Sequence, residues 1–330
     1  IVLSLATISF LASYANATSS GSTDACPTAS TRSGSGSTYN CTIDSSNSSS
    51  FSNQGITLPN SNYTIYNVTI TSGGTIQAPN GQDAIYLDAK NGNTRTLEKL
   101  INEGTIKGKV GMQVNNDSNT GTIIVNTFHN KSGGTIDGRV YYGWSNQGTI
   151  SIGNFNNEGT INYNNTSNGN AAVEFEKINA TIQTFSNSGI IEGKGKNSIS
   201  LKAQGSQTPT LENFINDGTI KGKIGIENDG SFSGTITVRT FENKNKGTID
   251  GHIYMGIHHQ NGIISIENFT NEGIITSNND DGGVYFQGDT RIKTFKNTGT
   301  IDGKTGQGVR FKGKGINTFE NNGLRHAQVE

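Results

Sequence analysis

The sequence predicts an all-β chain folded as a parallel β-helix, a β-solenoid of about nine to ten coils of 24–30 residues. Three observations predict it: a signature that recurs at nearly constant spacing, a period-two alternation inside each copy, and a composition too poor in apolar residues for a globular core of this length.

The signature is plainest in Ile292–Gly323, where Ile292, Phe295, Asn297, Gly299, Ile301 and Gly303 are followed 24 residues later by Ile316, Phe319, Asn321 and Gly323. Its anchors run back through Phe269, Phe241, Phe214, Phe185, Phe155 and Phe128 to Leu100, at intervals of 24, 26, 28, 27, 29, 30, 27 and 28 residues. Three residues before each anchor stands a branched aliphatic, Leu97 to Ile316, and two residues after it stands Asn, from Asn102 to Asn321. Nine copies satisfy both offsets in a chain with only 14 Phe. A period of this length marks stacked units, none of which can bury its apolar face alone.

Within a copy, residues two apart share a face of an extended chain. Phe295, Asn297, Gly299, Ile301 and Gly303 therefore point inward, and Lys296, Thr298, Thr300 and Asp302 outward. A second alternating run carries Val309 and Phe311, and glycines turn the chain, giving about three short strands and three bends per coil. The Asn column has two readings, an internal amide ladder or a row of turn residues. Its parity with Phe holds at Asn130 and Asn243, where the loop beyond lengthens, and this favours the ladder.

A longer period is superposed. LEKLINEGTIKGKVG at Leu97–Gly111 returns as LENFINDGTIKGKIG at Leu211–Gly225, 114 residues on, so a block of four coils is duplicated. Loop lengths vary most near Asn115, Asn164, Gln204 and Asn228, where a solenoid usually carries its specificity.

The composition suits a thin, two-layered core: 31% hydrophobic, 15% charged, 44 Gly and 4 Pro among 330 residues. Disordered chains do not keep such periodic Ile and Phe. A net charge of −1 gives no field for nucleic acid or an anionic membrane, and neither is expected as a partner.

Residues 1–17, IVLSLATISFLASYANA, read as the apolar core and cleavage site of a secretory signal peptide, with the small-x-small pattern Ala15-Asn16-Ala17. A buried N-terminal strand is the other reading. The stretch is too short to span a bilayer, and no later segment is long and apolar enough for a transmembrane helix. Without an initiator Met or basic residues, the sequence is expected to lack its true start. The two cysteines, Cys26 and Cys41, are expected to pair in an exported protein, contributing roughly 3 kcal/mol; free thiols in a loose leader are the alternative. Residues 18–50 are expected to be an irregular cap around that disulfide, 51–323 the β-helix, and 324–330 an unfinished end, because Leu324-Arg325-His326-Ala327 has no T-I-x-G.

No catalytic residue, cofactor-binding residue or metal ligand is assigned. The outward column Lys107, Asp137, Asn162, Glu192, Lys221, Asp250, Thr276 and Asp302 has two readings. It could line a polysaccharide-cleaving groove, or form a solvated face with weak cross-strand ion pairs. The second is favoured because the repeat itself generates the column, and an active site breaks a repeat. His252, His258 and His259 share a coil without an acidic partner at ligand spacing. One departure is informative. RVYYGWSNQ after Gly138 and HIYMGIHHQN after Gly251 concentrate aromatic character in equivalent loops, so Tyr141, Tyr142, Trp144, Tyr254, His258 and His259 form a candidate partner-contact patch. The bland alternative is that half of them fill the core.

The signal-peptide-like start, the F-x-N-x-G-T-I-x-G coils and the Asn/Gly/Thr-rich surface resemble passenger domains of bacterial autotransporters, the type V secretion proteins. They are most similar to the vacuolating-cytotoxin-like, or toxin-like, family of the Helicobacter and Campylobacter type. The resemblance covers roughly residues 51–323. It implies a right-handed parallel β-helix, exported to the cell surface or outer membrane or released, and used as an adhesin against a host-cell surface or an extracellular-matrix protein or glycan. It carries over no catalytic residue and no cofactor. The family's C-terminal β-barrel translocator is missing from the sequence, and without a barrel the implied location is periplasmic. A β-helix lyase or glycosidase acting on polysaccharide and a toxin-like passenger are the alternatives. Carboxylates clustered at one point of the rod would favour the enzyme, an even polar rod the adhesin.

Overall fold

The computed structural model describes residues 38–45, 49–50, 55–58, 65–79, 81–90, 92–114, 120–143, 147–164, 170–257, 261–278 and 280–326. These residues form strands, turns and bends, and the β-ladders between strands are parallel. They stack as a β-solenoid.

One sheet contains eleven strands, one per coil, from Thr38–Ile43 to Gly315–Asn321. Ten steps at the inter-strand spacing give it a height of about 48 Å. The second sheet carries two runs of short strands in each coil but the last, where only Leu324–His326 follows among the described residues. The first run is the T-I-x segment, as in Thr105–Lys107 and Thr135–Asp137. The second is the run that follows, as in Lys109–Val114 and Val140–Gly143. Ile190–Gly205 and Thr219–Phe232 are single strands that pass through both runs.

Register puts like on like. Phe128, Phe155, Phe185, Phe214, Phe241, Phe269, Phe295 and Phe319 face one another in order. Their rings stack at 4.4–5.1 Å between centroids. Below Phe128 the column continues through Leu100 and Val68 to Cys41, two rungs beyond the first legible anchor.

The Asn column is a ladder. From Asn102 to Asn297, each Nδ2 donates to the Oδ1 of the next Asn at 2.7–2.9 Å. Asn102 to Asn297 are buried, so the carboxamides satisfy one another in an apolar setting, where an unpaired amide is costly. Beside the ladder runs a column of glycines. A β-carbon at Gly159, Gly189, Gly273 or Gly299 would overlap the carbonyl oxygen of the glycine one coil below.

Two boundaries are corrected. Residues 38–43, expected to be irregular, form the first rung and pair in register with Ile65–Ile70, because Tyr39, Cys41 and Ile43 alternate inward. The coil also continues past Gly323, where Leu324–His326 pairs with Thr300–Asp302. Backbone pairing there does not need the T-I-x-G side chains.

Candidate functional site

The repeat is broken most clearly on the outer face of the second run. There the column reads Tyr86, Gly111, Tyr141, Glu174, Ser200, Gly225, Tyr254, Tyr285 and Arg310. By parity this face belongs to solvent, yet Gly111 through Tyr285 are buried. Long cationic side chains lie over the rings. Arg139 covers Tyr141 at 4.4 Å, Lys223 covers Tyr254 at 4.6 Å and Arg310 covers Tyr285 at 5.0 Å. Such contacts are favoured by the ring quadrupole and more so when desolvated. Tyr141 stands in register with Gly111 and Tyr254 with Gly225, and the space over these glycines is taken by Asp83 and by the Lys223 and Glu227 side chains.

The expected exposed aromatic patch is corrected for its described members. Tyr142 is 0% exposed and stacks on Phe175 at 5.0 Å in the main core. It shares inward parity with Met112 and Phe175. Tyr141 and Tyr254 are 1% and 4% exposed beneath their cations. Trp144, His258 and His259 lie outside the described residues.

Around these rings sit buried charges that the sequence reading missed. Arg139 donates to Glu174 at 2.8 Å, and Glu174 is 1% exposed. Lys109 lies 3.7 Å from Asp83 and Lys223 3.1 Å from Glu227. Burial raises the Glu174 carboxyl above its ordinary value against the pull of Arg139, and raises Asp83 against Lys109. Burial lowers His252, helped by Lys223. The available signal was a charge enclosed by apolar residues, as in Gly-Arg-Val-Tyr-Tyr at Arg139 and Ala-Val-Glu-Phe at Glu174.

Two clefts open beside these groups. One, of about 490 Å³, is lined by Lys109, Asp137, Gly138, Arg139, Tyr163 and Asn164 among others. The other, of about 610 Å³, is lined by Lys223, Asp250, Gly251, His252, Ser277 and Asn278 among others. Each opens at a corner built from stacked glycines. Gly108 and Gly222 turn the chain with φ of +122° and +121°, a conformation that favours glycine. A β-carbon on Gly138 or Gly251 would overlap the carbonyl oxygen of the corner glycine below.

The column from Lys107 to Asp302 is in register on successive coils. Lys221 pairs with Glu192 at 3.4 Å, and Thr276 donates to Asp250 at 3.3 Å. Exposed pairs of this kind contribute about 0–1 kcal/mol, which is the behaviour of a solvated face.

Cys41 is buried in the first rung and disulfide-bonded; Cys26 lies outside the described residues. Among the described residues no group of three His, Cys, Asp or Glu is placed to hold a metal ion. No described helix is long and apolar enough to cross a membrane, which says nothing of a β-barrel. In comparisons with protein-family profiles, curated proteins and solved structures, no match to this chain is found.

Proposed function

We propose that the chain is a non-catalytic binding rod, an exported passenger of autotransporter type that acts as an adhesin on the outside of the cell. One observation carries it: the Asn ladder runs without a break from Asn102 to Asn321, through the coils that hold the clefts, and the register shifts of the second sheet fall beside it, between Ile190–Gly205 and Thr219–Phe232. A solenoid of this kind presents a long, stiff surface, and its stability is a sum of coil-on-coil contacts. Polar groups at the clefts also support binding over catalysis. Arg139, Lys109 and Lys223 are each turned onto a carboxylate of the chain itself. Glu174, whose pKa is raised as a general acid's would be, is 1% exposed and bonded to Arg139, out of reach of a substrate. The partner class is a host-cell surface or matrix component.

The test is adhesion of beads coated with the purified chain to epithelial cells and to matrix-coated surfaces, alongside incubation with polysaccharides. The expected result is saturable adhesion without release of reducing ends or unsaturated sugars. Polysaccharide breakdown that is lost in Glu174→Gln would replace this reading with the enzymatic one.

A further inference from the structure

The two clefts are copies of one another. Lys109, Tyr163 and Asn164 recur as Lys223, Ser277 and Asn278 at an offset of 114 residues. Asp137, Gly138 and Arg139 recur as Asp250, Gly251 and His252 at an offset of 113. The corner glycines match as well, Gly108 with Gly222, at nearly equal φ. The rungs carrying Asp137 and Asp250 are four steps apart through Asn162, Glu192 and Lys221. At the inter-strand spacing, the clefts lie about 19 Å apart along one face of the rod.

We infer that the pair is a two-point site for a linear, neutral oligosaccharide lying along the rod axis. This rests on the reading of the chain as a binding rod and names the chemistry it binds. Charge balance selects the ligand class. Each deep cation is matched by a carboxylate: Lys109 by Asp83, Arg139 by Glu174 and Lys223 by Glu227. Lys107, the exposed cation of the first cleft, stands in register beside Asp137, so the linings carry no net positive charge to hold a polyanion. What remains are hydrogen-bonding groups of both kinds. Exposed Asp137 and Asp250 carboxylates accept from hydroxyls. Asn164 in the first lining and Asn278 in the second carry carboxamides that both donate and accept. In the second copy His252, held toward its neutral form, both donates and accepts. Hydroxyl groups, which donate and accept equally, complement such a mixed lining; sulfates and carboxylates do not. The walls are preformed by backbone, as in most small-ligand clefts.

The duplication then has a binding consequence. Two weak sites at fixed separation act together on a chain long enough to span them. The experiment is calorimetric titration with disaccharides and with long-chain members of the cello-, chito- and malto-series, and with heparin as the polyanion. The proteins are the wild-type chain, Asp137→Ala, Asp250→Ala and the double variant. Both aspartates are exposed, so the fold is retained, which circular dichroism checks. Long neutral chains are expected to bind about tenfold more tightly than disaccharides. Each single variant is expected to lose that advantage, and the double variant to lose binding. Three results overturn the inference: no neutral oligosaccharide binding at millimolar concentration, heparin bound in preference, or long-chain binding unchanged in the double variant. Bead adhesion that persists in any of these cases leaves the binding-rod reading standing and removes only the sugar site.

Discussion

Replacing Asn216 by Leu tests the amide ladder where it is complete on both sides. Asn216 Nδ2 donates to Asn243 Oδ1 at 2.8 Å and to the Gly218 carbonyl at 3.3 Å, and Asn216 Oδ1 accepts from Asn187 at 2.8 Å. In Asn216→Leu, Asn187 Nδ2 keeps only its longer bonds to the Gly189 and Thr219 carbonyls, at 3.3 and 3.4 Å. Asn243 Oδ1 loses its ladder donor inside the core. Lost bonds contribute about 1 kcal/mol each and a buried orphan about 1–3 kcal/mol, so with some return from the added aliphatic surface the cost is about 2–4 kcal/mol. Asn102 is the control. It stands at the foot of the ladder, over Ile70, and its Oδ1 has no hydrogen-bond partner among the described residues. Asn102→Leu removes the donations to Asn130 Oδ1 and the Thr135 carbonyl but extends the aliphatic column beneath it. Its cost is about 1–2 kcal/mol. Urea unfolding followed by far-ultraviolet circular dichroism measures both, with the slope on denaturant checked for unchanged cooperativity. Equal costs at the two positions, or a neutral Asn216→Leu, would show that the carboxamides act as local turn residues and refute the ladder energetics.

Further outcomes are expected of the stack, the turns, the buried acid and the charged face. Phe214→Ala, between rings at 5.1 and 4.4 Å, is expected to cost about 3–5 kcal/mol. Phe319→Ala, 37% exposed with one stacked neighbour, costs roughly less than half of that in the same urea assay. Gly159→Ala drives a methyl into the Gly134 carbonyl and is expected to prevent soluble expression. At Gly315 nothing lies within 4 Å of a β-carbon and φ is not left-handed, so Gly315→Ala leaves the melting temperature unchanged or higher. The folded chain binds the Glu174 proton more tightly than the unfolded chain does, so Glu174 makes stability fall as pH rises from its ordinary value of 4.5 through its raised one. Melting curves across that window should flatten in Glu174→Gln. Thr276→Asp aligns three carboxylates with Asp250 and Asp302, and is expected to cost about 1–2 kcal/mol at low salt and markedly less in 1 M salt.

The solenoid was legible because its rules are local and repeated. Phe at one position and Asn two residues later must share a face of an extended chain, and nine repetitions at one offset leave stacking as the consistent arrangement. The two lowest rungs lack the signature because their columns are filled by other residues; Ile65–Ile70 falls within the expected β-helix, and only 38–43 lies outside it. Cys41 and Val68 stand where Phe stands above, and Ile43 and Ile70 stand in for Asn. These two rungs match each other instead, Tyr39 on Tyr66, Asn40 on Asn67, Thr42 on Thr69 and Ile43 on Ile70, with Asn67 Nδ2 donating to Asn40 Oδ1 at 2.8 Å. The clefts were half legible. The stretches around Tyr141 and Tyr254 were singled out as departures, but aromatic character was read as exposure. Parity alone placed Tyr142 inside. What parity could not supply was the position of Arg139, a residue of the neighbouring corner that reaches across the ring and closes it from water. Pairing of Arg139 with Glu174 spans 35 residues and one coil boundary, beyond any window of local pattern.

Stacking at about 4.8 Å imposes opposite demands on neutral and charged side chains. A carboxamide or an aromatic ring meets its own kind favourably at that distance, so Asn and Phe repeat without limit. Two like charges there repel by about 1 kcal/mol in water and several times that where solvent is excluded. The outward columns obey this. From Gln77 through Lys107, Asp137, Asn162, Glu192, Lys221, Asp250, Thr276 and Asp302, no like charges are adjacent. The same holds from Asp88 through Gln113, Gly143, Glu176, Lys202, Glu227, Gly256 and Gln287 to Lys312. Arg239, set between Glu212 at 2.5 Å and Glu267 at 2.7 Å, is the clearest case. A duplicated block copies charges along with core residues, so each copy must keep the alternation at its seams. Lys223 and Glu227 do so within one strand, where Lys109 instead draws on Asp83 of the coil below. The second cleft therefore differs from the first in how its cation is neutralised, while the corner backbone that opens it is the same.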